Sequence, residues 1–151
     1  MTITTNLFGE VEVVEEKLIK FEQGIIGFPD LKGVLLIHDE EDDNKKISWL
    51  QSVDDPAFAM PVIDPLIVDE TYNPEIEDEL LKPLMIKEDS EILVLTTITV
   101  PSDTTKMTSN LKAPIIINVD NLKAAQLIVE DEKYLVKYPI YDILKSNKEG
   151  E

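Results

Sequence analysis

The hydrophobic residues of this chain occur mostly in short segments that are separated by Gly, Pro, Asn or Asp. The segments are rich in Ile, Val, Leu and Thr, and short apolar runs between turn residues are typical of β-strands rather than of helices. The pattern predicts about ten strands, at residues 2–5, 10–14, 18–21, 34–37, 47–51 and 59–63, and then at 92–100, 115–119, 124–130 and 134–138. The fold class is therefore expected to be mainly β.

Residues 92–100 are expected to form the central strand. Their first four positions are all apolar, and apolar residues then alternate with threonine, as in a strand that leaves a buried centre for a half-solvated position. One short helix is predicted over residues 73–84, where Asn73 fits the N-cap, Pro74 fits the first turn and apolar residues recur every four positions. Pro83 is expected to end or distort this helix.

The chain is expected to fold as one domain over residues 1–144, followed by a frayed polar tail over 145–151. Its 151 residues are 43% hydrophobic, which is sufficient for one core without disulfides or metals. Many short strands favour a small closed or strongly curved β-barrel, because closure removes exposed strand edges. A β-sandwich is the alternative, since the sequence does not determine strand order.

The charge of the chain restricts the class of its partners. It has 14 basic residues against 31 acidic ones, a formal net charge of -17, and every basic residue is a lysine. Nucleic acids and anionic membranes would be repelled, and the arginine side chains that read phosphates and base edges are missing. A basic protein is the expected partner, although acidity that serves solubility alone remains an alternative.

The cellular compartment is expected to be the cytoplasm. The chain has no cysteine, which suits a reducing compartment. Its N-terminal residues lack a basic segment followed by an apolar run, and its apolar stretches are too short to span a bilayer.

The sole histidine, His38, precedes a dense acidic run. The run consists of Asp39, Glu40, Glu41, Asp42 and Asp43. Asn44 stands where a calcium-binding EF-hand loop requires glycine, so the run is interpreted as a solvated hairpin tip between two strands. A metal site at His38 is the less favoured alternative to a surface histidine whose charged form its neighbours stabilise.

No constellation of residues indicates catalysis, and we expect no catalytic residue, cofactor or metal. The sequence contains neither a nucleophile elbow nor a phosphate-binding P-loop. A hydrolase would need two carboxylates that share an apolar pocket. The single tryptophan, Trp49, is expected in the core or at a barrel mouth rather than as an exposed sugar platform.

Three segments are denser in turn-forming residues than ordinary loops require. The first contains Gly24, Gly27, Phe28 and Pro29, the second contains Gln51, Ser52, Asp54, Asp55 and Pro56, and the third contains Asn110, Pro114 and Asn118. The glycines of the first segment permit a positive φ, and Phe28 is suited to plug a barrel end. Pro114 is expected to open a strand. Taken by their spacing alone, all three segments are turns.

In their order along the chain, these segments and the later pair Ala125-Gln126 resemble the bacterial flagellar assembly factor FliW family. The resemblance extends over residues 7–141 and is specific in its ordered combination. It implies protein binding rather than chemistry. No catalytic or ligand-binding role is therefore carried over to any residue.

The resemblance also implies two protein partners. Proteins of this family bind the carbon storage regulator, a small basic RNA-binding dimer that represses translation of flagellin mRNA, and they bind flagellin itself. Accumulating flagellin would occupy the factor and free the regulator. The alternative is a dedicated flagellin chaperone that holds a flagellin terminus without direct translational control.

The acidic residues 39–43 and 69–79 are expected to supply the long-range field that attracts a basic partner. The turn over residues 51–56 is expected to lie nearest to the specific contacts. The chain itself is expected to be monomeric.

Overall fold

The structure is a computed structural model that describes residues 2–38 and 47–149. Within these residues there are eleven β-strands. They are β1 (Thr2–Thr5), β2 (Gly9–Glu12), β3 (Ile19–Phe21), β4 (Gly33–His38), β5 (Ile47–Ser52), β6 (Ala59–Ile63), β7 (Ile92–Thr99), β8 (Thr108–Ser109), β9 (Ile115–Asn118), β10 (Lys123–Gln126) and β11 (Tyr138–Pro139). The α-helices are α1 (Pro65–Val68), α2 (Asp78–Leu81) and α3 (Tyr141–Glu149). Single 3-10 turns occur at Glu15–Lys17, Lys82–Leu84 and Thr104–Lys106.

Seven of the strands close into a barrel. Around the barrel the strand order is β7, β6, β5, β4, β3, β10 and β9, and β9 pairs with β7 to complete the ring. All neighbours are antiparallel except β3 and β10, which are parallel. The fold is therefore mainly β and closed, as the strand pattern predicts. β7 pairs with three strands, β6, β8 and β9, in agreement with its expected central position.

The two faces of the barrel wall carry two separate hydrophobic cores. Alternate residues of a strand point to opposite faces of the sheet, so successive positions of β6 and β7 serve different cores. The inner core contains Ile19, Phe21, Ile25, Val34, Leu50, Val62, Leu95, Ile115, Ile117 and Ala124. The outer core contains Ile63, Val68, Tyr72, Ile98, Leu111, Val129, Tyr134 and Ile140. Residues of α1 and the long loops thus cover one outer side of the barrel.

The β1–β2 hairpin packs on the outside of the barrel. The ring of Phe8 meets that of Trp49 edge-on, with 6.0 Å between the centroids. The Asn6 amide also donates a hydrogen bond to the Pro56 carbonyl at 3.3 Å. Trp49 is half-buried, while the next residue, Leu50, belongs to the inner core. The tryptophan therefore lies on the outer wall of the barrel and not in its core.

The predicted helix over residues 73–84 begins later than expected. α2 starts at Asp78 with Glu77 as its N-cap, and residues 74–77 are not helical. The Asn73 amide instead donates a hydrogen bond to the Tyr134 hydroxyl at 2.8 Å, which holds this segment against the outer core. Pro83 does distort the helix, because a 3-10 turn replaces the last α-helical turn at Lys82–Leu84.

The predicted strand over residues 134–138 is wrong, because only Tyr138 lies in a strand. Tyr134 is buried and its ring meets that of Tyr72 edge-on with the centroids 4.6 Å apart, so a turn presents the Tyr134 ring to the outer core. The expectation of one helix is also incomplete, since α1 and α3 lie outside the predicted segment. α3 continues through Glu149, so the expected tail begins within a helix. Fraying over residues 145–151 stays a prediction.

Candidate functional site

The segment that contains Gly24 and Gly27 forms a tight turn after β3. Ile25 and Phe28 exchange backbone hydrogen bonds of 3.2 and 2.7 Å across this turn. Gly24 has a φ of +72°, and a Cβ at this position would lie 2.4 Å from the Pro29 carbonyl oxygen. Both the backbone conformation and the contact require glycine here.

The turn at residues 51–56 is held by buried side chains. Ser52 Oγ accepts hydrogen bonds from the amides of Asp54 and Asp55, at 3.0 and 2.9 Å. Gln51 Nε2 lies within 2.9 to 3.2 Å of three backbone carbonyl oxygens, those of Ser52, Pro56 and Phe58. Both residues are fully buried, so the side chains of Gln51 and Ser52 stabilise the turn by hydrogen bonds to its backbone rather than by facing solvent.

Asp54 joins these two turns to each other. Its Oδ2 accepts hydrogen bonds from the Lys32 and Gly33 amides at 3.0 and 2.9 Å. The rings of Phe28 and Phe58 meet beside it with centroids 4.7 Å apart. Together the turns enclose an open groove of about 370 Å³, which we call the turn groove. It is lined by Gly27, Phe28, Pro29, Asp30, Leu31, Asp54, Asp55 and Phe58.

Gln126 connects the third segment to the first. Its Oε1 accepts a hydrogen bond from the Ile26 amide at 3.0 Å, and its Nε2 donates to the Ala113 carbonyl at 3.1 Å. Pro114 immediately precedes β9, as expected, and its carbonyl accepts from the Leu127 amide.

Asn110 and Asn118 stabilise the ends of this third segment. Asn110 Oδ1 accepts a hydrogen bond from the Lys112 amide at 3.1 Å. Asn118 is buried, and its Nδ2 donates to the Leu84 carbonyl at 2.9 Å while its Oδ1 accepts from the Asp120 amide. These two asparagines serve the fold.

The predicted partner-binding residues differ in their exposure. Asp54 and Asp55 are exposed and Pro56 is half-buried, whereas Gln51 and Ser52 have no accessible surface. In this conformation, direct side-chain contact with a partner is therefore restricted to Asp54, Asp55 and Pro56. The run Asp39, Glu40, Glu41, Asp42 and Asp43 lies outside the described residues. Its interpretation as a hairpin tip stays a prediction, although β4 and β5 on either side of it are antiparallel.

Two aromatic residues of the turn groove differ from the sequence-based expectation. Phe28 does not plug the barrel, because it is 45% exposed, and Ile25 of the same turn enters the inner core instead. Phe58 was not singled out by the sequence pattern. An aromatic residue two positions after Pro56, within a loop rather than a strand, was the available signal.

Reactive chemistry is sparse in the described part of the chain. His38 ends β4, and its Nδ1 lies 3.0 Å from Ser48 Oγ. No group of three or more histidine or acidic residues suited to a metal ion occurs within residues 2–38 and 47–149. Burial raises the pKa of Tyr72, with further contributions from Tyr134 and Asp69. The Tyr72 hydroxyl donates to the Leu111 carbonyl at 2.7 Å, which is a structural contact in the outer core.

The chain matches the family model described as FliW protein over residues 2–140. The chain belongs to the FliW family. It is 51% identical to the flagellar assembly factor FliW of Lachnospira eligens, across 98% of this chain and 99% of that protein. It is 49% identical to the FliW of Lachnoclostridium phytofermentans, across 100% of this chain and 97% of the relative.

A solved structure supports the same assignment. The crystal structure of a flagellar assembly factor FliW superimposes with a TM-score of 0.84 and 31% sequence identity, covering 93% of this chain and 97% of that one. These relatives are named as assembly factors and not as enzymes. Of the helices in the described residues, none is long and apolar enough to cross a membrane.

Proposed function

We propose that this FliW protein is a cytoplasmic flagellar assembly factor that binds the carbon storage regulator, antagonises its translational repression of flagellin mRNA, and is displaced from it by flagellin. The observation that carries the proposal is family membership over nearly the whole chain. The proposal assigns the protein no catalytic step.

The charge distribution supports a basic partner. The net charge is -17, and the described residues contain only three ion pairs, made by Lys82, Lys123 and Lys133. Most carboxylates of residues 2–38 and 47–149 therefore have no lysine partner there and contribute to an uncompensated negative field. Such a field accelerates encounter with a cationic protein and repels RNA.

The turn groove supports the expected place of specific contact. It presents the exposed ring of Phe28 and the half-buried ring of Phe58, and it carries the carboxylates of Asp30, Asp54 and Asp55. An aromatic floor beside carboxylates is suited to an apolar segment that carries lysine or arginine. We propose that the regulator contacts this groove.

Calorimetric titration of the protein with the purified regulator dimer tests the proposal. We expect heat of binding in the calorimeter. In stopped-flow measurements of the same pair, we expect the association rate to fall markedly between about 50 and 200 mM salt while the dissociation rate changes less. Absence of binding refutes the proposal. A salt-independent association rate refutes only the steering argument.

The place of contact is tested by a charge-reversed pair of variants. Asp30 lines the turn groove and Asp89 lies outside it, and both are exposed. Asp30→Lys should speed dissociation of the regulator roughly tenfold, whereas Asp89→Lys should change mainly the association rate. Equal effects of the two variants would remove the turn groove from the contact surface.

Competition with flagellin separates the proposal from the chaperone alternative. Excess flagellin added to the complex should release the regulator in size-exclusion chromatography. A stable ternary complex would contradict displacement of the regulator by flagellin. Binding of flagellin without any binding of the regulator would favour the flagellin-chaperone alternative.

A further inference from the structure

A strand edge is left open beyond β10. After Gln126 the chain stays extended, because the amides of Leu127 and Val129 donate to the carbonyls of Pro114 and Lys112. Alternate backbone groups of a strand face opposite sides, so the amides of Ile128 and Glu130 face away from these partners. Neither amide has a hydrogen-bond partner among residues 2–38 and 47–149. The neighbouring β3 ends at Phe21 and does not cover this edge.

A groove runs along this open edge. Its volume is about 580 Å³, and we call it the edge groove. It is lined by Glu75, Ile76, Glu77, Leu80, Ile128, Glu130 and Asp131. Ile128 is 59% exposed and Leu80 is 44% exposed, so two large apolar side chains face solvent within it. A bound segment that buries both side chains would gain hydrophobic free energy.

The rim of the edge groove is negatively charged. Four carboxylates line it, and no lysine does. Asp131 makes an exposed ion pair with Lys133 at 3.7 Å. Within the described part of the chain, Glu75, Glu77 and Glu130 make none. The rim is therefore complementary to a cationic ligand.

We propose that the edge groove binds an extended cationic segment of another protein, which adds a strand to the backbone at residues 128–130. The two unpaired amides lie two residues apart, which matches carbonyl acceptors at strand spacing, and an extended chain supplies such acceptors whereas a helix does not. On the face of such a strand that lies in the groove, an apolar side chain would meet Ile128 and Leu80, and a lysine or arginine two positions along would meet Glu130, which shares a face with Ile128.

This proposal goes beyond the regulator and flagellin switch and does not depend on it. The edge groove shares no lining residue with the turn groove. A segment bound here would leave the aromatic floor of the turn groove uncovered. The test therefore uses a synthetic probe instead of either proposed partner.

The probe is a seven-residue peptide in which pairs of valines alternate with pairs of lysines, so that each face of the extended peptide carries both types. It is added to the isotope-labelled full-length protein. We expect NMR shift changes concentrated at residues 75–80 and 128–131, with slower hydrogen exchange of the Ile128 and Glu130 amides. The same peptide with its central backbone nitrogens methylated keeps its charge but loses strand pairing, and it should bind roughly tenfold more weakly. Equal binding of the methylated peptide, shift changes spread over the acidic surface, or no binding would overturn the proposal.

A matched pair of variants separates the groove from general charge. Glu75 lines the edge groove and Glu88 does not, and both are exposed. Glu75→Lys should weaken binding of the lysine-valine peptide about fivefold to tenfold, and Glu88→Lys less than about twofold. Equal losses would show attraction by net charge alone and would overturn the proposal. Unchanged circular dichroism of both variants confirms that each is folded.

Discussion

Replacing Gly24 or Gly27 with alanine provides a matched test of the first turn. Both glycines have positive φ, at +72° and +87°. A Cβ on Gly27 meets nothing within 4 Å, whereas a Cβ on Gly24 lies 2.4 Å from the Pro29 carbonyl oxygen and 2.6 Å from its carbonyl carbon. The two substitutions therefore share a backbone penalty and differ in the steric contact.

The expected magnitudes follow from these distances. A left-handed conformation costs an L-residue about 1–2 kcal/mol, and the stiffer unfolded chain offsets about 0.4–1 kcal/mol of this. Gly27→Ala should therefore lower the free energy of unfolding by about 1 kcal/mol. At Gly24 the Pro29 backbone must also move by about 1 Å to reach ordinary van der Waals distance. Overpacking of this kind adds about 1–3 kcal/mol, and loss of one Ile25 to Phe28 hydrogen bond adds about 1 kcal/mol.

Urea unfolding of both variants measures the difference. The single tryptophan, Trp49, is half-buried on the barrel wall and reports the transition by fluorescence. We expect Gly24→Ala to be less stable than Gly27→Ala by about 2–4 kcal/mol, with unchanged urea m-values. In thermal unfolding the gap should be on the order of 10 °C. If the free energies of unfolding of Gly24→Ala and Gly27→Ala agree within about 0.5 kcal/mol, the argument from the contact with Pro29 is refuted.

Three further predictions concern the cores and the second turn. The raised pKa of Tyr72 stabilises the fold below the ordinary tyrosine pKa of 10.0, and this stabilisation is lost as pH rises above it. Urea titrations from pH 8 to pH 11 should show a steeper alkaline decline for the wild type than for Tyr72→Phe, and parallel curves would contradict this. Leu50→Ala should lower the free energy of unfolding by about 2–5 kcal/mol, against less than about 0.5 kcal/mol for the exposed Leu66→Ala, and equal losses would remove Leu50 from the core. Asp54→Ala should lower the free energy of unfolding by about 1 kcal/mol and speed hydrogen exchange of the Lys32 and Gly33 amides, which donate to the Asp54 carboxylate. Unchanged exchange of these amides would refute the link between the turns.

The sequence predicts most of the barrel because its strands have a short-range pattern. The strands at Thr2–Thr5 and Ala59–Ile63 have the predicted bounds, and several others differ from prediction by one or two residues. The strand predicted over residues 124–130 is too long, because β10 ends at Gln126. Period-two alternation and flanking turn residues are local properties, so they are readable without tertiary contacts.

The wrong predictions depend on distant contacts. The short, mostly apolar run at residues 134–138 is not distinguishable from a strand until the ring of Tyr134 is seen to meet that of Tyr72 edge-on. The segment after Asn73 is also held by a distant residue, since the Asn73 amide donates to the Tyr134 hydroxyl. Tertiary contacts in such places override local propensity.

The candidate site was only partly predictable. The three turn segments are visible in the sequence, but their meeting through Asp54 and Gln126 is a property of barrel closure. Burial of Gln51 and Ser52 was also hidden, since polar residues in a turn are usually exposed. Charge alone could not locate either groove on the surface.

The parallel pairing of β3 with β10 has a consequence for the synthesis of the protein. It joins Lys20 to Lys123 in register, and the hydrogen bond from Ile26 to Gln126 beside it spans 100 residues. Synthesis adds residues at about 5–20 per second, so the early strands wait several seconds for the strand that closes the ring. During that time β3 has an unpaired edge in the nascent chain, which favours aggregation or capture by a chaperone. A newly made molecule therefore acquires its barrel only after Lys123–Gln126 has been synthesised.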